Sequence, residues 1–141
     1  MLKAIVPVDG SRTSLRAVEH AIKLVRENGP MGILLVNVRL PADSWEVESF
    51  LKPEEIRNLQ EGKGRDALDA AGRLLDAAGI PYERALLHGP IAETIVRQAH
   101  ESGCDKIIMG ARGESLIEEI LIGSVTQAVI RCTDIPVTVV R

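Results

Sequence analysis

Five short apolar runs punctuate the chain, at 2–8, 32–38, 82–87, 106–109 and 136–140, and between them apolar residues recur every three or four positions. Short apolar runs bounded by turn residues read as buried strands, and the longer period reads as amphipathic helix. Over 13–27, Leu15, Val18, Ala21, Ile22 and Val25 share one face, leaving Arg16, Glu19, Lys23 and Arg26 for solvent. Ser11 is placed to cap this helix and Asn28-Gly29-Pro30 to stop it. The pattern returns over 54–78, over 91–102 with Ile91, Ile95, Val96 and Ala99 inward, and over 124–132. Strands alternating with helices through short connections predict an α/β fold with a parallel, right-handed, doubly wound sheet.

The segment 41–52 breaks the rhythm and holds the only Trp, Trp45, and the only Phe, Phe50. It is expected to be a loop with a little helix. Its aromatics either form a lid over a site or pack on the rim of the sheet. With no linker, repeat or low-complexity tract, the 141 residues are expected to form one domain, 1–141.

Composition narrows this picture. Hydrophobic residues make up 45% of the chain but aromatics only 2%, so the core must be built from Val, Ile, Leu and Ala. A formal net charge of -3 with no Lys/Arg run argues against nucleic acid or an anionic membrane as partner, so any anion must be held locally. No apolar run approaches the roughly 18 residues of a membrane span. Met1-Leu2-Lys3 leads directly into the first strand without a signal sequence, and Cys104 and Cys132 are isolated. These features predict a soluble cytoplasmic protein, with both thiols in the core.

In open parallel sheets ligands bind beyond the carboxyl ends of the strands, where the winding reverses. In a 3-2-1-4-5 order the reversal falls between strand 1, ending Pro7-Val8-Asp9-Gly10, and strand 4, ending Met109-Gly110-Ala111-Arg112-Gly113. The spacing of Gly110, Gly113 and Gly123-Ser124 brings three glycines and a hydroxyl to that end. Gly110 and Gly113 can let a ligand touch the main chain, and neither is expected to be needed for packing. Gly123-Ser124 opens a helix whose unpaired N–H groups favour an anion. Each hydrogen bond to a charged oxygen is worth roughly 1.5–3 kcal/mol, so four can support micromolar binding, about -8 kcal/mol. The competing account is that these glycines only make tight turns.

Asp9 can accept from ribose hydroxyls or an adenine amine, hold a phosphate-bound Mg²⁺, or simply form the turn before Gly10. Val38, ending strand 2, is either a core valine or a backbone edge for adenine. Gly62-Lys63-Gly64 with Ala67 satisfies a loose dinucleotide pattern, but it lies inside a helix rather than after a strand. There is no G-x-x-x-x-G-K-[ST], and His20, His88 and His100 lack metal-ligand spacing. No nucleophile or general base stands out.

Several of these pieces resemble the universal stress protein family, in particular its small ATP-binding bacterial members. They are Ile5-Val6-Pro7-Val8-Asp9-Gly10-Ser11, Leu34-Leu35-Val36-Asn37-Val38, Met109-Gly110-Ala111-Arg112-Gly113, Gly123-Ser124-Val125-Thr126 and Ile135-Pro136-Val137-Thr138-Val139-Val140. The resemblance implies a flavodoxin-like three-layer sandwich with a five-stranded parallel sheet in the order 3-2-1-4-5. It implies that Pro7, Val8 and Asp9 line an adenosine pocket with Val38 at the adenine edge. Met109, Gly110 and Gly113 would line the ribose and phosphates, and Gly123, Ser124, Val125 and Thr126 would cradle the phosphate tail. It also implies a homodimer through Val137, Thr138, Val139 and Val140, an apolar edge that physical reasoning also expects to be covered.

One departure concerns the nine residues 114–122, where ATP-holding relatives often carry basic residues and this chain carries Glu114, Glu118 and Glu119. A carboxylate about 8 Å from a phosphate opposes binding by roughly 0.5–2 kcal/mol. Alternatively, Ser115-x-x-Glu118 is a capping box that turns Glu118 toward its own helix, and Arg112 supplies a counter-charge or is an exposed loop arginine. The expectation is therefore a stress-response module binding ATP, ADP or AMP, with Mg²⁺, and not an enzyme beyond slow incidental hydrolysis. The rivals are a dimeric interaction protein without nucleotide and, third, an adenylating enzyme, for which no second domain or catalytic constellation is evident.

Overall fold

Parallel strands are covered by helices on both faces, so their residues are apolar in continuous runs rather than in alternation. In the computed structural model, which describes residues 1–40, 52–112 and 122–141, the runs become β1 (Lys3–Pro7), β2 (Gly32–Arg39), β3 (Glu83–His88), β4 (Lys106–Gly110) and β5 (Val137–Val140). Between them lie α1 (Arg12–Asn28), α2 (Pro53–Ala77), α3 (Ile91–Glu101) and α4 (Ser124–Cys132). The sheet order is β3-β2-β1-β4-β5 with every pairing parallel, as the resemblance implied. β1 is therefore central, and the winding reverses between it and β4. Trp45 and Phe50, the Ser115/Glu118 pair and Gly113 lie outside the described residues.

Alternation along β1 and β2 divides the core in two. Val6 and Leu35 pack under α1 and α2 with Val18, Leu68 and Leu75, while Ile5 and Val36 pack under α3 and α4 with Ile95, Ile107 and Val129. Full burial of one such side chain stabilises by about 1.5–3 kcal/mol. Ser11 caps α1 as expected, its hydroxyl accepting from the Ser14 N–H at 3.2 Å.

The first turns of α1 depart from the expected pattern. Ser14 and Ala17 are buried there, whereas Leu15 and Val25 pack only at the margin. Small residues let this helix approach the ends of β1 and β4 closely. The same approach corrects the expectation for Gly110: a Cβ there would stand 2.9 Å from the Thr13 carbonyl carbon, so packing alone requires glycine. Cys104 is buried, and burial pushes its thiol pKa up. Cys132 is exposed at the last turn of α4, contrary to the expectation that both thiols are core. Its helix buries only Thr126 and Val129. β5 forms the edge of the sheet, pairing with β4 on one side, and all four of its residues are half-buried.

Candidate functional site

Where β1 stops, β2 continues, and the mismatch opens a crevice. β1 makes its last sheet contact when the Val8 N–H donates to the Val36 carbonyl at 2.8 Å, after which the chain turns through Asp9 and Gly10. Backbone groups two residues apart along a strand point the same way. Val38 therefore directs its N–H and C=O toward the lane that β1 has vacated. Arg39, one residue on, faces the other neighbour, its carbonyl accepting from the Gly89 N–H at 3.0 Å. The sequence could offer Val38 only as a core valine or as a backbone edge. The residue is buried, 8% exposed, and lies on the cavity wall with its main chain facing the vacated lane.

The turn after β1 is built from its own polar groups. Gly10 takes φ +88°, a left-handed conformation that side chains resist. The Asp9 carboxylate accepts from the Ser11 N–H through Oδ1 at 2.9 Å, and the Asp9 N–H donates to Ser14 Oγ at 3.3 Å. The turn role foreseen for Asp9 is therefore observed, and it uses Oδ1 alone, leaving Oδ2 without a partner among the described residues.

Across the crevice, α4 begins at Gly123 with no side-chain cap. The N–H groups of its first turn, on Ser124, Val125 and Thr126, are therefore orphan donors at the positive end of the helix dipole. Two other groups expected to face a ligand are already engaged. The Gly123 N–H donates to the Ala111 carbonyl at 2.6 Å, and the Thr126 hydroxyl, buried, donates to the Gly110 carbonyl at 2.9 Å. These bonds tie the start of α4 to the end of β4.

Both walls line one cavity of about 350 Å³. Pro7, Val8, Asp9 and Val38 contribute from one side, and Met109, Gly110, Arg112, Gly123, Ser124, Val125 and Thr126 from the other. Every site residue expected from the sequence reaches it except Gly113, which lies outside the described residues. Sequence reasoning missed the other lining residues: Ser14, Asn37, Arg39 and Gln60 among the polar ones, and Val36, Leu40, Ile91 and Ile95 among the apolar ones. Asn37 could have been noticed as the polar position inside an otherwise apolar strand. Gln60 could not, because it lies on α2, far from the strand-end motifs in sequence, and is held there by the Arg39 Nε donor at 2.7 Å. Gly64 is no phosphate loop: a Cβ on it would overlap Leu86 Cδ1, so its role is to let α2 lie close on β2 and β3. No cluster of three or more potential metal ligands occurs among the described residues. A second depression, of about 340 Å³ between α1 and α2, brings together helix-surface residues such as Ile22, Lys23 and Leu74 and lies away from the strand ends.

A doubly wound parallel sheet with a cavity at its switch point, bounded by the end of β1 and the uncapped start of α4, places the chain among the α/β proteins of flavodoxin-like order. The particular family follows from comparison: the chain belongs to the universal stress protein family, whose model matches residues 1–141. It is 36% identical to the universal stress protein MJ0531 of Methanocaldococcus jannaschii over 146 residues, covering 99% of this chain and 81% of that protein. The solved structure of MJ0577, from the same organism, superposes with a TM-score of 0.83 at 29% identity, covering 99% and 94% of the two chains. A universal stress protein crystallised in complex with cAMP superposes with a TM-score of 0.70 at 26% identity, covering 99% and 97%. Among the described residues, no helix is long and apolar enough to cross a membrane.

Proposed function

We propose that this chain holds an adenine nucleotide in the crevice between β1 and β4 and serves as a nucleotide-dependent regulatory or binding module in the stress response. One observation carries the reading: Val38, with its main chain facing the lane beyond β1, Asp9, whose Oδ2 has no partner among the described residues, and the uncapped start of α4 line a single cavity. A neighbour of the same family in complex with cAMP supports it. The base pairs with the Val38 main chain between Pro7, Val8 and Met109, and Asp9 Oδ2 accepts from the adenine amine or a ribose hydroxyl. The phosphates meet the N–H groups of Ser124, Val125 and Thr126 and the Ser124 hydroxyl, with Gly110 and Gly123 allowing close approach. Arg112 adds positive charge on the same wall, and Gly113 is assigned to it through the family resemblance.

ATP, ADP and AMP all suit this arrangement. Mg²⁺ would be carried chiefly by the phosphates of ATP, since Asp9 is the only carboxylate among the described lining residues. The described lining residues offer ground-state contacts rather than a group placed to activate water, which supports a binder and not an enzyme. The remaining elements of the proposal are a single domain over 1–141, a cytoplasmic location and a homodimer through Val137–Val140. Titration calorimetry with ATP, ADP and AMP, with and without Mg²⁺, tests the nucleotide reading. Binding at a 1:1 ratio is expected, and its absence for all three at about 100 µM protein overturns it. The half-buried edge of β5 would then favour an interaction protein that works through its dimer surface.

A further inference from the structure

Asn37 is 2% exposed on a strand whose positions 33–38 are all buried, so an aliphatic residue would be the ordinary occupant. Its Nδ2 donates to the Val8 carbonyl at 2.7 Å, while its Oδ1 is buried with no hydrogen-bond partner. A buried, half-satisfied amide lowers stability relative to an apolar side chain of the same shape. Space for it is nevertheless kept on α2, where a Cβ on Gly64 would stand 2.7 Å from that same Oδ1.

The Val8 carbonyl and the Asp9 N–H belong to one planar peptide unit. Asn37 holds the carbonyl end, and Ser14 Oγ receives the N–H end at 3.3 Å. Ser14 is itself fixed, 4% exposed, with its hydroxyl donating to the Ser11 carbonyl at 3.0 Å. A planar unit held at both ends cannot rotate about its flanking bonds, and its orientation sets the direction in which the Asp9 Cα–Cβ bond leaves the chain.

We propose that Asn37 and Ser14 are positioning residues for nucleotide binding: together they clamp the Val8–Asp9 peptide and so aim the Asp9 carboxylate at the ligand. The inference rests on the nucleotide reading given above. It also explains why a stability cost is kept at Asn37, since precision in the carboxylate is worth more to a binding site than one more buried methyl group.

The decisive experiment is a double-mutant cycle between Asn37→Leu and Asp9→Ala, read by AMP affinity and thermal unfolding, with Ser14→Ala as an independent second probe. Asn37→Leu is expected to weaken AMP at least tenfold while changing the unfolding temperature little, because removal of the unpartnered Oδ1 offsets loss of the donor to the Val8 carbonyl. In the Asp9→Ala background the same change should alter affinity less than twofold. Ser14→Ala should weaken AMP severalfold and speed hydrogen exchange of the Asp9 amide in the free protein. Affinity within twofold of the parent for Asn37→Leu, or an equal loss with and without Asp9, overturns the clamp while leaving the nucleotide reading intact. If Asn37→Leu fails to fold, Asn37 is a structural residue and the proposal is likewise overturned, whereas an unmodified protein that binds no AMP overturns the nucleotide reading itself.

Discussion

The two walls of the crevice solve opposite problems. On the β1–β2 side each polar side chain is held by at least one hydrogen bond, Asp9 by Ser11, Asn37 by Val8 and Arg39 by Gln60, and Asp9 keeps its second carboxylate oxygen for a ligand. On the β4–α4 side the bonds of Gly123 and Thr126 anchor the helix start, and the N–H groups beyond them are left for a ligand. The first wall has its shape fixed before binding and pays little ordering entropy on contact. The second supplies donors and dipole. Recognition of the base and attraction of the phosphate are therefore separable, and each can be disturbed without the other.

The largest effect should come from Gly110→Val, which strikes the point where the walls meet. Its side chain meets the Thr13 backbone, so stability should fall by about 2–3 kcal/mol, roughly 10 °C in unfolding temperature, and binding of every nucleotide should fall with it. A stable variant with normal affinity would show that the close approach of α1 to β4 is not needed. Asp9→Ala comes next. Loss of one charge-assisted bond at the fixed wall should weaken adenosine, AMP and ATP alike, by about 10–100-fold, with about 1 kcal/mol lost from the turn. An effect confined to ATP would move Asp9 to the phosphate side.

Ser124→Ala removes one hydroxyl from the donor wall and should weaken ATP about threefold to tenfold while leaving adenosine unchanged. Equal losses for both ligands would merge the two walls into one. The smallest effect is that of salt. Raising ionic strength from about 0.05 to 0.5 M should weaken ATP severalfold and adenosine hardly at all, because screening acts on the phosphate and not on the base. Parallel curves for the two ligands would contradict the division.

Much of the fold was legible because it is repetitive. The nine elements among the described residues follow from local periodicity and its punctuation by Gly, Pro and Ser, and α4 begins and ends at the expected residues, Ser124 and Cys132. Strand order was not legible from period alone, since nothing in a run of Val and Ile says which neighbour it pairs with. It came from the family resemblance. The site divides the same way. Asp9 and the start of α4 announce themselves through local turn and capping chemistry. Asn37 and Gln60 act through partners 29 and 21 residues away, which no short motif displays. The packing role of Gly110 was missed for a related reason: a glycine needed for contact with Thr13 looks the same in sequence as one placed beside a ligand, and Gly110 both meets Thr13 and lines the cavity. Cys132 erred because α4, next to the sheet edge, buries little of its surface.

The account depends most on the claim that base and phosphate occupy these two walls together. Amide chemical shifts followed during titration of the labelled protein with AMP test it directly. The expected result is saturable shifts at Val8, Asp9 and Val38 on one wall and at Ser124, Val125 and Thr126 on the other, all with one dissociation constant. Shifts confined to the α1–α2 depression around Ile22 and Leu74, or no saturable shifts at either wall, would contradict it.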